Sequence, residues 1–600
     1  MKQLITFLSF IFYAFSSFSQ TNDQRIVALE PQLNKLLTDW KAAGFSVAVV
    51  QKNKLIYANG FGYRDYEKKL PATPNTLYPI GSCTKAFTSS LIGQLANDKA
   101  LELDKPVHEY LPSLAFYNTG MTNNITLRDM MSHRTGLPRH DISWYLFPTT
   151  SRDSFLQRIR YMEPTAELRQ RWQYNNFMFF LQGVVAEKLT NQSWENNIKK
   201  RFFSPLGMNR SNFSVLDLAK DNDASIGYYT KNDSIIKKLP YYNIDAMGPA
   251  GSINSSVVEM SNWVTAWINN GKFNGKTILP ESYRQEAISS QMVMAPALPS
   301  KETPDVFFSN YGFGWFLSSY RGHYRVEHGG NIDGFSANTA FFPTDSIGII
   351  VLTNQNGSSV PSIVRNLIAD KLLNLSVIDW SSNLKKQQEK TKAAAAEVKK
   401  SSQSNRKTGT RPSHPLKDYA GVYQSPGYGS LEIISKGDSL IAFVPNKKLW
   451  LQHYHYDIFQ PLEIDPVEGI DTSDAPDFKF QFITDLNGNI SAFRTMFEPG
   501  LQPIEFTRKE KEVALTAEML KKYEGEYELP GASAKVYTKG NTLFAFVPGQ
   551  PEYELTSVGN DKFNFKALSG FALQFHKDDK GNVNAVSFIQ PNGTFKAAKK

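Results

Sequence analysis

A serine placed three residues ahead of a lysine becomes chemically useful when a helix begins at the serine. Ser82-Cys83-Thr84-Lys85 follows Ile80-Gly81 and runs into an apolar-periodic helix through Phe87, Leu91, Ile92 and Leu95. Positions three apart share a helix face, so the Lys85 amine can reach the Ser82 hydroxyl. Serine is a poor nucleophile until a base takes its proton. A desolvated lysine beside other positive charge can lose its own proton near neutral pH and act as that base. The start of the helix adds backbone N–H groups and the positive end of the helix dipole, both suited to an oxyanion. The same spacing recurs at Ser234/Lys237, Ser382/Lys385 and Ser404/Lys407. None of those opens a long apolar-periodic helix, and they are read as chance.

Two other groups could take part. Tyr174-Asn175-Asn176 follows Arg171-Trp172-Gln173 and opens an apolar helix from Phe177 to Leu189. A tyrosine hydroxyl can carry a proton between a serine and a leaving group, although packing in a core is the commoner use of tyrosine. Asn176 could hold a substrate carbonyl or amide. His328-Gly329-Gly330 ends a predicted strand, and Asn331-Ile332-Asp333-Gly334-Phe335 follows. Glycines after the histidine let a substrate lie against the strand edge, while a lone histidine is more often structural than catalytic. Cys83, the only cysteine, adjoins Ser82 and is read as a small residue buried at the helix start. The nine histidines show no H-E-x-x-H or other paired ligand spacing, so neither metal nor cofactor is expected.

The elements that must position these groups are split along the chain. Ile26, Leu29, Leu33, Leu36, Leu37 and Trp40 recur at helical spacing. Phe45 to Gln51 and Leu55 to Phe61 read as strands around an Asn53-Lys54 turn. A mostly helical stretch runs from Ser82 to about Ser290. Strand patterns return at Tyr324 to Glu327, Ala337 to Phe342 and Ile347 to Thr353, and a closing helix spans about Ser362 to Leu373. Early and late strands can share a sheet only if the helical stretch is an insertion. The expected class is α+β: an antiparallel sheet flanked by helices, with a helical lobe and a cleft between them.

At 600 residues, with 41% hydrophobic and 20% charged residues, the chain has room for several globular domains. Lys2 followed by the apolar run Leu4 to Phe15, with Ser17 and Ser19 around Phe18, reads as a signal peptide over residues 1–19. The run is short for a membrane span, so a periplasmic or secreted product with no stable span after cleavage is expected. The catalytic domain is placed at 22–380 and a basic flexible linker at 381–412, where nine Lys and Arg face two Glu between Lys385 and Arg411. This tract accounts for much of the net charge of +9. No nucleic-acid motif accompanies it, so no nucleic-acid partner is expected.

The remainder repeats. Leu416-Lys417-Asp418-Tyr419-Ala420-Gly421-Val422-Tyr423 matches Leu520-Lys521-Lys522-Tyr523-Glu524-Gly525-Glu526-Tyr527, and Ala442-Phe443-Val444-Pro445 matches Ala545-Phe546-Val547-Pro548. Alternating strands and Gly/Asn turns predict two small antiparallel β-barrels at 413–509 and 513–600.

The ordered set Ser82-x-x-Lys85, Tyr174-x-Asn176 and His328-x-Gly330 resembles the serine β-lactamase and penicillin-binding-protein superfamily, in the branch of class C β-lactamases and D-aminopeptidases. Met131-Ser132-His133-Arg134-Thr135-Gly136-Leu137-Pro138, Pro205-Leu206-Gly207-Met208, Pro249-Ala250-Gly251-Ser252 and Tyr311-Gly312-Phe313-Gly314-Trp315 add to the likeness. The resemblance implies Ser82 as nucleophile, Lys85 as base, Tyr174 as proton shuttle, and an oxyanion hole from the backbone N–H groups of Ser82 and Asn331. Class C β-lactamases carry Lys-Thr-Gly where this chain has His328-Gly329-Gly330, and that lysine helps hold a substrate carboxylate. Histidine there looks more like the branch's D-aminopeptidases and esterases, some of which carry C-terminal barrels described as lipocalin-like. His328 could accept a hydrogen bond or support Tyr174. The expected activity is acyl-enzyme hydrolysis of a small peptide, amide or ester. The alternatives are a β-lactamase or D,D-carboxypeptidase, a receptor acylated without turnover, and barrels that bind ligands independently.

Overall fold

The computed structural model describes residues 22–600 apart from 296–297, 301–304, 466–468, 471–474, 511, 530 and 569. The expected signal peptide lies outside the described residues. Two compact units result, the first ending at Asn405 and the second spanning Arg406–Lys600.

In the first unit a helix α1 (Glu30–Asp39) precedes strands β1 (Gly44–Gln51) and β2 (Lys54–Asp65). The single helix expected from Ile26 to Trp40 is broken into Gln24–Val27 and α1, with Pro31 in the first turn of α1, where its missing N–H costs nothing. The helical lobe contributes α2 (Thr84–Asn97), α3 (Asn176–Thr190) and α4 (Val257–Ile268). The chain then returns through β3 (Phe316–Tyr320), β4 (His323–Ile332), β5 (Phe335–Phe342), β6 (Ile347–Thr353) and a closing helix α5 (Val360–Leu372).

These strands form one antiparallel sheet in the order β3-β4-β5-β6-β1-β2, extended at the β3 edge by Ser309–Tyr311 and Met292–Val293 and at the β2 edge by Leu70–Pro71. β6 pairs with β1 across the gap in sequence, Val47 opposite Val351 and Val49 opposite Ile349. Alternation then sorts the side chains. Val47, Val49, Ile349 and Val351 pack with Leu33, Leu36, Ile363 and Val364 of the terminal helices. Ala48, Val50, Ile350 and Leu352 face Phe87, Leu91 and Val264 of the lobe. One departure bears on the site: β4 does not stop at His328. It runs through both glycines, with Gly329 opposite Asn338, Gly330 opposite Ala337 and Asn331 opposite Ser336.

The segment read as a flexible basic linker is helical from Trp380 to Ser404. The Trp380 indole donates to Asp370 Oδ2 at 2.7 Å, and the Trp40 indole donates to Ser381 Oγ at 2.9 Å. Ala393 to Ala396, with Lys, Gln and Glu around them, are strong helix formers, and that propensity outweighs the charge density. Among the described residues, no helix is long and apolar enough to cross a membrane.

The second unit holds two eight-stranded antiparallel barrels. In the first, strands between Gly421 and Lys509 close when Lys447–His455 pairs with Ile458–Asp465. In the second, Gly525–Leu529 pairs with Gly593–Lys599. Rings fill the first interior, with Phe493 stacked on Phe480 at 4.5 Å and on Phe506 at 4.8 Å. The repeated motif is a fastening. The Tyr419 hydroxyl donates to Asp457 and the Tyr523 hydroxyl to Asp561, each across 38 residues. The second tyrosine of each motif donates back to the carbonyl of the first, Tyr423 to Tyr419 at 2.8 Å and Tyr527 to Tyr523 at 2.7 Å.

Asp561→Ala removes the acceptor of a buried hydroxyl. It should lower the stability of the second barrel by about 1–3 kcal/mol, read as an earlier unfolding transition in a urea titration of the full chain. A wild-type midpoint in that variant would show the bond to be dispensable.

Candidate active site

Ser82 sits in a single 3-10 turn, Gly81–Cys83, that runs directly into α2. The turn is half open to the cleft at Ser82, while Lys85 one turn on is wholly buried. Lys85 Nζ has three oxygen neighbours: Asn176 Oδ1 at 2.7 Å, the Ala250 carbonyl at 2.7 Å and Ser82 Oγ at 3.0 Å. The Ala250 oxygen can only accept. The Asn176 amide is oriented by its own Nδ2, which donates to Asp141 Oδ1 at 2.8 Å, so its oxygen also accepts from Lys85. A neutral amine has two N–H bonds and one lone pair. In that neutral form the two obligate acceptors would take the N–H bonds and leave the lone pair to the Ser82 hydroxyl. Burial pushes the Lys85 pKa well below its ordinary value, with repulsion from Arg139 adding to the fall and Asp141 opposing it.

Tyr174 lies one residue before Asn175, which caps the first turn of α3 by accepting from the Met178 N–H at 3.2 Å. Its hydroxyl is hydrogen-bonded to Ser82, and Lys85 Nζ lies 4.8 Å from the centre of its ring. Burial raises the Tyr174 pKa, against the opposing pull of the Ser82 hydrogen bond, so the group rests as a phenol. Asn176, expected to meet substrate, lines the cleft but also links Lys85 to Asp141.

His328 is buried on β4 with both ring nitrogens engaged inside the protein. Nδ1 lies 2.6 Å from the Gly329 carbonyl, which can only accept, so Nδ1 carries the proton. Nε2, 2.9 Å from the Tyr311 hydroxyl, is then the acceptor. Burial, seconded by Lys85, lowers the His328 pKa to about 3, which makes the ring neutral at physiological pH. Its ring centre is 6.2 Å from that of Tyr174 and 4.8 Å from that of Phe316.

The two glycines differ. A Cβ on Gly330 would stand 1.9 Å from the Ile80 carbonyl oxygen, so only glycine lets β4 lie this close to the turn that carries Ser82. A Cβ on Gly329 would meet nothing closer than 3.6 Å. Gly81, at φ +50°, completes the contact: a Cβ there would be 2.8 Å from the Asn331 nitrogen. Ser82 and Asn331 accordingly border the same cleft, of about 340 Å3.

His133 and Tyr311 were quoted in the sequence only as parts of motifs, with no role, and Arg139 and Asp141 were not singled out. His133 lies face-near Tyr174, ring centres 4.3 Å apart, and its Nδ1 accepts from the Asn175 N–H at 3.2 Å. Tyr311 holds His328. Arg139 follows the Gly136-Leu137-Pro138 run directly, and Asp141 lies two residues further on. The Arg139 guanidinium carbon is 4.8 Å from the Tyr174 ring centre, and its Nε donates to Asp141 Oδ2 at 2.6 Å. Their position after a recognisable motif was the available signal. Among the described residues no cluster of His, Cys, Asp and Glu could hold a metal ion.

A Beta-lactamase family model matches residues 32–373, more than half of the chain and all of the site. The chain belongs to this beta-lactamase family. It is a serine hydrolase of that family, and a model for a domain of unknown function, DUF3471, matches residues 405–508, over the first barrel. Unguisins hydrolase ungD' of Aspergillus campestris (strain IBT 28561) is 29% identical over 426 residues, covering 67% of this chain and 76% of that protein. Protein flp of Staphylococcus aureus (strain NCTC 8325 / PS 47) is 26% identical over 328 residues, 54% of this chain and 62% of that one. The structure of the octameric penicillin-binding protein homologue from Pyrococcus abyssi shares the fold, at TM-score 0.52 and 22% identity over 80% of this chain and 100% of that one.

The buried imidazoles should lower the stability of this beta-lactamase-family unit in acid. Burial depresses the pKa of His328 to about 3 and of His140 to about 4, and holds His133 well below 6.5. Above about pH 6.5 neither folded nor unfolded chain protonates them. Below it the unfolded chain binds protons that the folded chain refuses, and stability falls by up to about 1.4 kcal/mol per pH unit for each group. Urea midpoints should therefore drop between pH 7 and pH 5, with a shallower slope in His328→Asn. An equal slope in both would mean His328 is protonated in the fold.

Proposed function

We propose that this chain is an exported hydrolase that cleaves small peptides, amides or esters through an acyl-enzyme on Ser82. The observation that carries the mechanism is the seat of Lys85 Nζ, 3.0 Å from Ser82 Oγ and 2.7 Å from two oxygens that can only accept. With two carbonyl-type oxygens on its N–H bonds, neutral Lys85 can only accept from Ser82. Ser82 Oγ attacks the substrate carbonyl carbon as its proton passes to Lys85. The carbonyl π electrons move to the oxygen, which the Ser82 and Asn331 N–H groups receive. Collapse of the tetrahedral intermediate breaks the bond to the leaving group. Tyr174, a phenol at rest and bonded to Ser82, gives that group its proton and is reprotonated from Lys85. Water then attacks the acyl carbon with the same proton path reversed, releasing the acid and restoring Ser82.

Opposite pKa shifts support this division of labour: the amine is held unprotonated and the phenol protonated. The name of the Aspergillus relative, a hydrolase of unguisins, is in keeping with it. Export is supported by Lys2 and the apolar run from Leu4 to Phe15.

Ser82→Ala should abolish turnover, a loss on the order of a million-fold, with the fold intact. Lys85→Ala should block acylation, and Tyr174→Phe should slow it by about 100- to 10,000-fold. Intact-mass and steady-state assays on a short-chain ester read all three. Ser82 that acylates but never releases product would favour a receptor, and activity surviving in Ser82→Ala would move the site.

His328 is neutral where class C β-lactamases offer a lysine, so a substrate carboxylate finds less attraction on this strand. Wild type should show higher kcat/KM on a neutral short-chain ester than on a chromogenic cephalosporin. Efficient cephalosporin hydrolysis with the ester ignored would reverse the assignment in favour of a β-lactamase.

A further inference from the structure

The Ser82 cleft has an exit on its acyl side. Tyr174 protonates the leaving group in the proposed mechanism, so that group lies toward Tyr174 and His328. The acyl chain then runs the other way, past Asn331 toward the end of β4. That end is bordered by Asn356, in the loop between β6 and α5. Asn356 lines the cleft and also lines a second, larger cavity of about 870 Å3, and the two cavities meet at this residue.

The basic helix Trp380–Ser404 roofs the second cavity and lies beyond residues 32–373, which the beta-lactamase model matches. Past its anchored start, two polar bonds among the described residues tie it to the body. Gln388 Nε2 donates to Ser359 Oγ at 3.2 Å, and Lys392 Nζ donates to Asp233 Oδ2 at 2.5 Å, in the turn of the hairpin 227–239. Residues 386–398 are all exposed. The helix therefore bridges a groove instead of packing into the body, and the groove has a volume that holds a ligand several residues long.

The lining fits a neutral, polar chain. Lys41, Lys385 and Lys392 are balanced by Asp39, Asp233 and Glu389, three charges against three. Hydroxyl and carboxamide groups lie between them, among them Thr230, Ser358, Thr391 and Gln387. A fatty acyl chain finds little apolar surface here, whereas peptide amides find donors and acceptors. The junction is equipped in the same way. Asn356 Oδ1 accepts from the Gly334 N–H at 3.3 Å, which identifies Nδ2 as the donor end of that amide. Among the described residues no group accepts from Nδ2, and a passing peptide carbonyl can. Gly334 is three residues beyond Asn331, at most about 10 Å of chain. A peptide lying alongside covers that span with about three residues.

We propose that the groove under the basic helix is a subsite for the acyl-side chain of an extended peptide, entered past Asn356. The preferred substrates then carry three or more residues ahead of the scissile carbonyl. The proposal rests on the reading of Ser82 as the acylated nucleophile and of Tyr174 as proton donor to the leaving group.

The test is a ladder of N-acetylated alanine benzyl thioesters, from a single residue up to a pentamer, with either hand at the residue next to the thioester. Thiol release by the full chain is the readout. For at least one hand kcat/KM should rise by about tenfold or more between the monomer and the tetramer, the worth of one or two neutral hydrogen bonds. The step should fall at about the third residue. Thr391→Trp places a bulky side chain at an exposed helix position that lines the groove, and the tetramer-to-monomer ratio should fall by about threefold or more. Asn356→Asp still accepts from Gly334 but loses the donor, and the ratio should fall likewise. A flat wild-type ladder overturns the subsite and leaves the hydrolase reading standing. Inhibition by chitotetraose alongside a flat ladder would give the groove to a sugar chain and overturns the proposal too. So does a ratio unchanged in both folded variants. If no thioester is turned over the subsite falls, and labelling of Ser82 by a fluorophosphonate then decides whether the nucleophile falls with it. Because the wild-type ladder is itself decisive, the proposal stays open to refutation even if neither variant folds.

Discussion

The site depends on one close approach, that of strand β4 to the turn that carries Ser82. At Gly330 there is no room for even a methyl group beneath the Ile80 carbonyl, and at Gly81 none beneath the Asn331 nitrogen. Two backbones that touch in this way hold Ser82 and the Asn331 backbone at fixed separation without any side chain between them. The rest of the first unit sustains that contact. β4 belongs to a sheet assembled from both ends of the domain, and the turn belongs to a lobe inserted between those ends. The β1–β6 pairing that closes the insertion, with a packed layer on each face, is what keeps the two backbones from drifting apart.

Burial then biases the resting protonation of the groups around Ser82. The same exclusion of water acts on an amine, a phenol and an imidazole, and it disfavours the charged form of each. Lys85 is driven toward the free base, Tyr174 toward the acid, and His328 toward neutrality. The differences among them come from partners: two carbonyl-type oxygens at Lys85, Ser82 at Tyr174, and a closed pair of bonds to Gly329 and Tyr311 at His328.

Much of this was legible beforehand, for identifiable reasons. Ser82 and Lys85 are neighbours on one helix, and local spacing alone brings them together. The split sheet followed from strand patterns at both ends of the domain. The barrels followed from a repeat whose tyrosines have fixed partners. What stayed hidden depends on contacts distant in sequence. Asp457 and Asp561 recur at the same 38-residue offset from Tyr419 and Tyr523, but an offset in sequence does not say that the side chains bond. His133 and Tyr311 meet the site through packing over long separations, and β4 runs past His328 because pairing with β5 outweighs the weak strand preference of two glycines. The basic helix after Trp380 was missed because charge was weighed above propensity.

Cys83 shows what the same packing does to the thiol next to Ser82. Its thiol is buried against β4, donates to the His328 carbonyl at 3.1 Å, and is pushed by burial up to about 12. At neutral pH almost none of it is thiolate, the form that reacts. A sulfur atom adjacent in sequence to the Ser82 hydroxyl is thereby kept unreactive. For the same reason alkylating reagents and mild oxidants, which need that thiolate, should leave the folded enzyme untouched and mark only chains that have opened, so Cys83 can serve as an internal reporter of unfolding.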